Sequence, residues 1–167
     1  MSRLDSAIRR LQAQKVVLEA AALEIQSLPG IVLELGLGNG RTYDHLREIL
    51  KDREIYVFER EVAAHPDCIP PQDRLFLGDL FDTLPRAIEG LEGQAAFVHM
   101  DIGTGEKQAS IELAQRALPL ILRLMKPSSV LVSDQPVGKI AELEELPLPD
   151  GVKPGRIHFY RLANKTG

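Results

Sequence analysis

Three glycines alternate with other residues at Gly36, Gly38 and Gly40, and a carboxylate, Glu34, stands just ahead of them. Glycine at this spacing lets main chain approach a ligand closely and presents N–H groups at the start of a helix. More acids follow at Glu59, Asp79, Asp101 and Asp134, with Gly78 before the second of them. A carboxylate beyond a second strand can accept two ribose hydroxyls. Polar residues of this kind are common in loops when taken singly. Their recurrence at the ends of successive apolar runs points to one rim that binds a nucleoside-containing ligand.

The runs that place these residues alternate between strand and helix. Leu4 to Leu28 reads as a helix, with Leu4, Ile8, Leu11, Leu18, Ala22 and Ile25 on one stripe that Lys15 interrupts. The stripe suits either a helix laid across the domain or a subunit contact, since it is as narrow as a coiled-coil seam. Pro29-Gly30 ends it. Ile31–Leu35, Glu54–Phe58, Arg74–Leu77, Ala95–Met100 and Ser129–Ser133 read as strands. Helices are expected over Arg41–Leu50, over Asp82–Leu91 with Pro85 in the first turn, and over Thr104–Met125, which Pro119 should kink or split. Pro66, Pro70 and Pro71 make the second crossover mostly loop. Beyond Asp134 a short helix is expected at Val137–Leu146, and one alternating strand over Gly155–Leu162 at an edge of the sheet. This order implies an α/β fold whose mainly parallel sheet carries helices on both faces, with ligand outside the carboxyl ends of the strands.

Two residues separate the nucleoside cofactors. The dinucleotide fingerprint needs a small residue where this chain has Arg41, because helix and strand pack closely there. Glu34 also places a negative charge beneath the turn. It would repel a pyrophosphate and favour the sulfonium and ammonium groups of S-adenosylmethionine. An NAD-dependent oxidoreductase is therefore the weaker alternative.

Val32-Leu33-Glu34-Leu35-Gly36-Leu37-Gly38-Asn39-Gly40 resembles the first motif of class I S-adenosylmethionine-dependent methyltransferases. The resemblance runs from about Ile31 to Asp134 and includes Met125-Lys126-Pro127. It looks closest to the small single-domain bacterial members whose helix starts Gly-Arg-Thr-Tyr-Asp-His-Leu. It implies a three-layer Rossmann-like methyltransferase fold with a shortened C-terminal part. Residues 1–167 would form one S-adenosylmethionine-binding domain: an N-terminal helix over 1–29, a cofactor-binding core over 30–135, and a tail over 136–167. The resemblance further implies that main chain from Gly36 through Leu37, Gly38, Asn39, Gly40, Arg41 and Thr42 to Tyr43 cradles the methionine half. Glu59 would hold the ribose, Asp79 and Leu80 would flank adenine, and Asp101 would lie near the sulfur. Arg60, Gly78 and Ile102 adjoin these positions and complete the expected set. The family's usual Gly-Gly is Ser128-Ser129 here, and its C-terminal two-strand hairpin is represented by one clear strand. That thin tail motivates a second reading, a protein that binds S-adenosylmethionine or S-adenosylhomocysteine without catalysis.

Asp101, Asp134 and Gln135 are similar to the Asp…Asp-Asn metal site of catechol-type O-methyltransferases, but Gln135 is one methylene too long. With so few oxygen ligands, metal-free cofactor binding is the expectation. His99 shares strand parity with Asp101 and is read as a buried structural histidine. His65, His158 and Tyr160 are possible bases that no spacing places, so no catalytic residue is assigned.

Composition excludes much else. The 167 residues carry a net charge of -4, no Trp and only three Tyr, which argues against a nucleic-acid partner. No apolar run is long enough to span a membrane. The lone Cys68 cannot pair within the chain. A cytoplasmic enzyme acting on a small-molecule acceptor is expected, with self-association through the first helix or the last strand.

Overall fold

The computed structural model describes residues 1–164; residues 165–167 of the expected domain lie outside the described residues. Helix α1 spans Arg3–Glu24. Ser2 and Asp5 start it by capping each other's main chain, with both N–H to side-chain oxygen distances at 3.0 Å. Strands β1 (Ile31–Leu35), β2 (Ile55–Glu59), β3 (Leu75–Leu77), β4 (Ala95–Met100) and β5 (Met125–Ser133) are parallel neighbours. Helices α2 (Arg41–Ile49), α3 (Leu80–Leu91) and α4 (Lys107–Leu124) join them. The crossover from β2 to β3 is mostly loop, as its prolines require, with two short 3₁₀ turns.

The seven strands lie in the order β3-β2-β1-β4-β5-β7-β6, where β6 is Leu143–Glu145 and β7 is His158–Leu162. The chain runs outward from β1 through β2 to β3, then returns to build β4 on the other side of β1. The order of strands therefore reverses between β1 and β4, which is where open α/β sheets open a crevice for ligand. Strand alternation divides the core in two. Leu33, Leu35, Val98 and Met100 pack under α3 and α4. Val32, Val57, Phe97, Val130 and Val132 pack under α1 and α2.

Several expectations are corrected. Residues 143–145 form a strand where a helix was expected over Val137–Leu146. Gly138 turns the chain at φ 82°, and pairing of Leu143 with Leu162 overrides local propensity. The last strand is consequently interior: β7 runs antiparallel between β5 and β6, and the edge is β6 with its Glu144 and Glu145. The short tail thus holds two strands. Pro119 leaves α4 unsplit, and Pro85 sits in the second turn of α3 because Asp79 caps that helix earlier than expected. Both prolines are exposed, so water can reach the carbonyl each leaves unpaired. The stripe on α1 is buried only at its lower end, at Leu18 and Ile25. Leu4, Ile8 and Leu11 remain exposed.

Candidate cofactor site

The last ladder hydrogen bonds carry the sheet past its strand ends and fix the rim. Gly36 N–H donates to the Phe58 carbonyl at 2.9 Å, Gly78 to Glu59 at 3.0 Å, Asp101 to Leu35 at 2.9 Å and Asp134 to Met100 at 3.0 Å. Alternation then puts Glu34, Glu59, His99, Asp101 and Asp134 on the face that α1 and α2 cover.

The glycines of the turn differ in what they make room for. All three have left-handed φ, at 91°, 53° and 87° for Gly36, Gly38 and Gly40. A Cβ at Gly36 would lie 2.0 Å from the Asp101 carbonyl oxygen and 3.7 Å from Ile102 Cγ2. One at Gly40 would lie 2.4 Å from Cys68 Cβ in the proline loop. One at Gly38 would meet nothing within 4 Å. Gly36 and Gly40 therefore lock the turn against the protein, and Gly38 faces open space. Glu59 holds the turn from below: its Oε2 accepts the N–H groups of Leu37 at 2.8 Å and Gly38 at 2.9 Å, and its Oε1 accepts that of Arg60 at 2.7 Å.

Beneath the turn lies a buried acid–base cluster. Glu34 is 0% exposed and His99 1%, and Glu34 Oε1 is 2.6 Å from His99 Nδ1. Burial pushes the Glu34 carboxyl up against the opposing influence of His99, and the negative charge of Asp101 pushes it further. Burial alone would lower His99, but the Glu34 carboxylate, with Asp101 and Asp134 beyond it, outweighs burial and raises it. Asp134 is raised by burial first and by its neighbour Asp101 second. Its Oδ2 accepts from Gly103 N–H at 3.0 Å and the Gln135 amide at 3.1 Å. Glu34 Oε2 and Asp134 Oδ1 are buried without a hydrogen-bond partner.

A cavity of about 240 Å³ opens above this cluster, lined by Gly36, Leu37, Gly38, Asn39, Arg41, Thr42 and Asp101. Arg10, Leu11 and Gln14 of α1 line its other side, and the Gln14 amide donates to Asp101 Oδ2 at 3.2 Å. This volume falls short of the roughly 300–1,000 Å³ that encloses a drug-sized ligand, so it suits one end of a cofactor. Larger grooves of about 720 and 960 Å³ lie against other parts of α1 and contain none of the rim acids.

Of the residues expected from sequence, the turn and Asp101 meet at this cavity. Ile102 stands beside Gly36. Glu59, Arg60, Gly78, Asp79 and Leu80 continue along the rim at the ends of β2 and β3. Asp79 Oδ1 accepts Phe81 N–H at 2.8 Å and caps α3, which is the turn role that aspartate often has. The Tyr43 ring is buried in the core, with the Arg47 guanidinium 5.1 Å from its centroid, so it presents only main chain to the rim. Glu34 has no open surface and acts on the cavity through charge. Sequence reasoning missed Arg10, Leu11 and Gln14; the i,i+4 pair Arg10 and Gln14 beside Leu11 was the available signal. His65 is exposed in the proline loop, while His158 and Tyr160 stand on β7; none of these lines the cavity. Among the described residues, no group of three or more His, Cys, Asp or Glu side chains is placed to hold a metal ion.

The cluster is acidic, the turn is open at Gly38, and Arg41 starts the helix that follows. Residues 1–162 match the family described as S-adenosyl-L-methionine methyltransferase. The chain belongs to this family. It is similar to an S-adenosyl-L-methionine methyl transferase structure from Silicibacter pomeroyi DSS-3, with 44% identity over 98% of this chain and 99% of that chain and a TM-score of 0.91. The fold, though little of the sequence, recurs in two further methyltransferases. The O-methyltransferase TomG from Streptomyces achromogenes, in complex with S-adenosylmethionine, is 16% identical over 90% of this chain and 80% of its own, with a TM-score of 0.61. The Bacillus cereus O-methyltransferase, in complex with S-adenosylhomocysteine, is 13% identical over 98% of this chain and 82% of its own, with a TM-score of 0.58. No curated protein matches the sequence. Membership fits a rim built from a glycine turn over buried acids at the strand-order reversal.

Proposed function

We propose that this family member binds S-adenosylmethionine at the carboxyl ends of β1, β2 and β4 and transfers its methyl group to a small-molecule acceptor. The observation that carries this reading is the pairing of an open Gly38 with an acidic floor. Glu34, Asp101 and Asp134 converge there, and two of their buried oxygens lack partners. Such a floor favours a sulfonium and an ammonium and disfavours a pyrophosphate.

The cofactor supplies an activated methyl on a cationic sulfur, for in-line displacement by the acceptor. The chain's own task is alignment and electrostatics. Asp101, partly open at the cavity, receives positive charge directly. Glu34 and Asp134 add field from behind it, and the Gly36–Gly40 turn lets the cofactor approach main chain closely at Gly38. Glu59, fixed by the turn's N–H groups, faces the ribose position; Arg60, Gly78, Asp79 and Leu80 flank the adenine end, and Ile102 walls the turn. No base is needed for an acceptor that is already nucleophilic, so none is assigned.

The reading of a binder without catalysis rested on a thin tail, and the presence of both β6 and β7 removes that motive. Self-association, if driven by α1, would use the exposed Leu4 and Ile8; β7 is not free for it. No described helix is long and apolar enough to cross a membrane. The proposed setting is the cytoplasm, where a single half-buried Cys68 stays reduced. A labelled-methyl screen of small acceptors, with Gly38→Arg as the filled-site control, tests the activity. Transfer that survives in Gly38→Arg would place the reaction elsewhere.

A further inference from the structure

The charge around the rim cavity is divided. Its floor is acidic, through Asp101 with Glu34 and Asp134 behind. Two arginines line its other sides, Arg10 from α1 and Arg41 at the start of α2. Among the described residues, neither has a carboxylate within 4.0 Å. Four other arginines are paired with carboxylates: Arg47 with Asp44, Arg74 with Glu54 and Asp73, Arg123 with Glu92, and Arg161 with Glu24. Arg53 donates to the carbonyls of Gly30 and Ile25.

Arg10 is held in place from below. Gln14, one turn further along α1, donates to Asp101 Oδ2 at 3.2 Å. Residues four apart share a helix face, so the contact that ties α1 to the floor also keeps Arg10 at the same cavity. Beneath Gln14 the helix is anchored by Val17, Leu18, Ala21 and Ile25, all 0–1% exposed. The site is thus closed by an element that lies outside the glycine motif and precedes it in the chain.

A cavity with an acid on one wall and two free guanidinium groups on the others matches an α-amino acid zwitterion. Resting on the cofactor reading above, we propose that Arg10 is a specificity-determining residue. It holds the α-carboxylate of the cofactor's amino-acid end, while Asp101 takes the ammonium. Planar guanidinium is the group suited to a carboxylate, and Arg41 faces it from α2. The α1 helix then serves as the wall that distinguishes an intact amino-acid tail from a decarboxylated or absent one.

Calorimetric titration of wild type, Arg10→Gln and Arg10→Lys tests this. The probes are S-adenosylhomocysteine and its decarboxylated counterpart, which keeps the nucleoside, sulfur and amine. Wild type is expected to prefer the carboxylate-bearing ligand. Arg10→Gln is expected to weaken S-adenosylhomocysteine by about tenfold, a modest charged hydrogen bond at an exposed residue, and to leave the decarboxylated ligand unchanged. Arg10→Lys should fall between them. Equal weakening of both ligands would overturn the proposal, since it would show that Arg10 only supports α1. So would an unchanged affinity of Arg10→Gln for S-adenosylhomocysteine. Absence of binding by wild type would instead overturn the cofactor reading itself, and this assignment with it.

Discussion

Glu34 Oε1 and His99 Nδ1 are 2.6 Å apart on adjacent parallel strands, at the point where strand order reverses and with almost no solvent contact. The pair sits directly under the glycine turn. It gives the rim a fixed charged floor that does not depend on loop conformation.

Both members of the pair are shifted upward, so the folded state keeps protons that the unfolded chain gives up first. Folding stability is therefore highest on the acid side of this window. It is lost as pH rises from the ordinary carboxyl value of 4.5 through and beyond the ordinary imidazole value of 6.5. Thermal melts across this range should show that decline, and replacing both residues by leucine should flatten it. His99→Leu alone should cost about 3–5 kcal/mol near neutral pH, because it strands Glu34 without a partner.

Gly36 and Gly38 should fail differently. Gly36→Ala forces a Cβ against the Asp101 carbonyl oxygen at 2.0 Å and should unfold or severely destabilise the protein. Gly38→Ala meets open space and bears only the left-handed cost at φ 53°, about 1–2 kcal/mol. It should fold and lose cofactor affinity. Circular dichroism melts beside cofactor titrations separate these outcomes.

Glu59→Ala removes the acceptor for the Leu37 and Gly38 N–H groups. Those two amides should then exchange hydrogen faster, and cofactor affinity should fall at least tenfold through loss of both the pre-formed turn and the ribose acceptor. Unchanged exchange at these amides would show that the turn holds itself.

Ser128 is the only non-glycine among the described residues with positive φ, at 69°. It lies in the bulge where β5 slips against β4, between the Ala95–Met125 and Phe97–Val130 pairs. Ser128→Gly should raise stability by about 0.5–1 kcal/mol, visible as a small rise in Tm, with activity unchanged. The hydrogen bond from Ser128 Oγ to Asn164 Oδ1 that it gives up is exposed and weak by comparison.

Much of this was legible in the sequence. Six strands, four helices and the glycine turn follow from apolar periodicity and from Gly and Pro punctuation, and the rim acids follow from where the parallel strands end. The fate of Asp134, whose Oδ2 accepts from both the Gln135 amide and Gly103 N–H, required the fold. So did β6. Its three residues have no strand pattern of their own and pair only because β7 offers an edge. Arg10 and Gln14 stayed hidden because their meaning lies in a long-range contact, 87 residues apart for Gln14 and Asp101. Glu34 was visible as an acid beneath the turn, but its partner His99 lies on another strand that only the sheet brings alongside.

The turn over the acidic floor is proposed to select S-adenosylmethionine. Isothermal titration of the intact chain with S-adenosylmethionine and, separately, with NADH tests it most directly. Saturable one-to-one binding of S-adenosylmethionine is expected, with its abolition in Gly38→Arg and no heat from NADH. Absence of S-adenosylmethionine binding at millimolar concentration, or binding of NADH in its place, would contradict it.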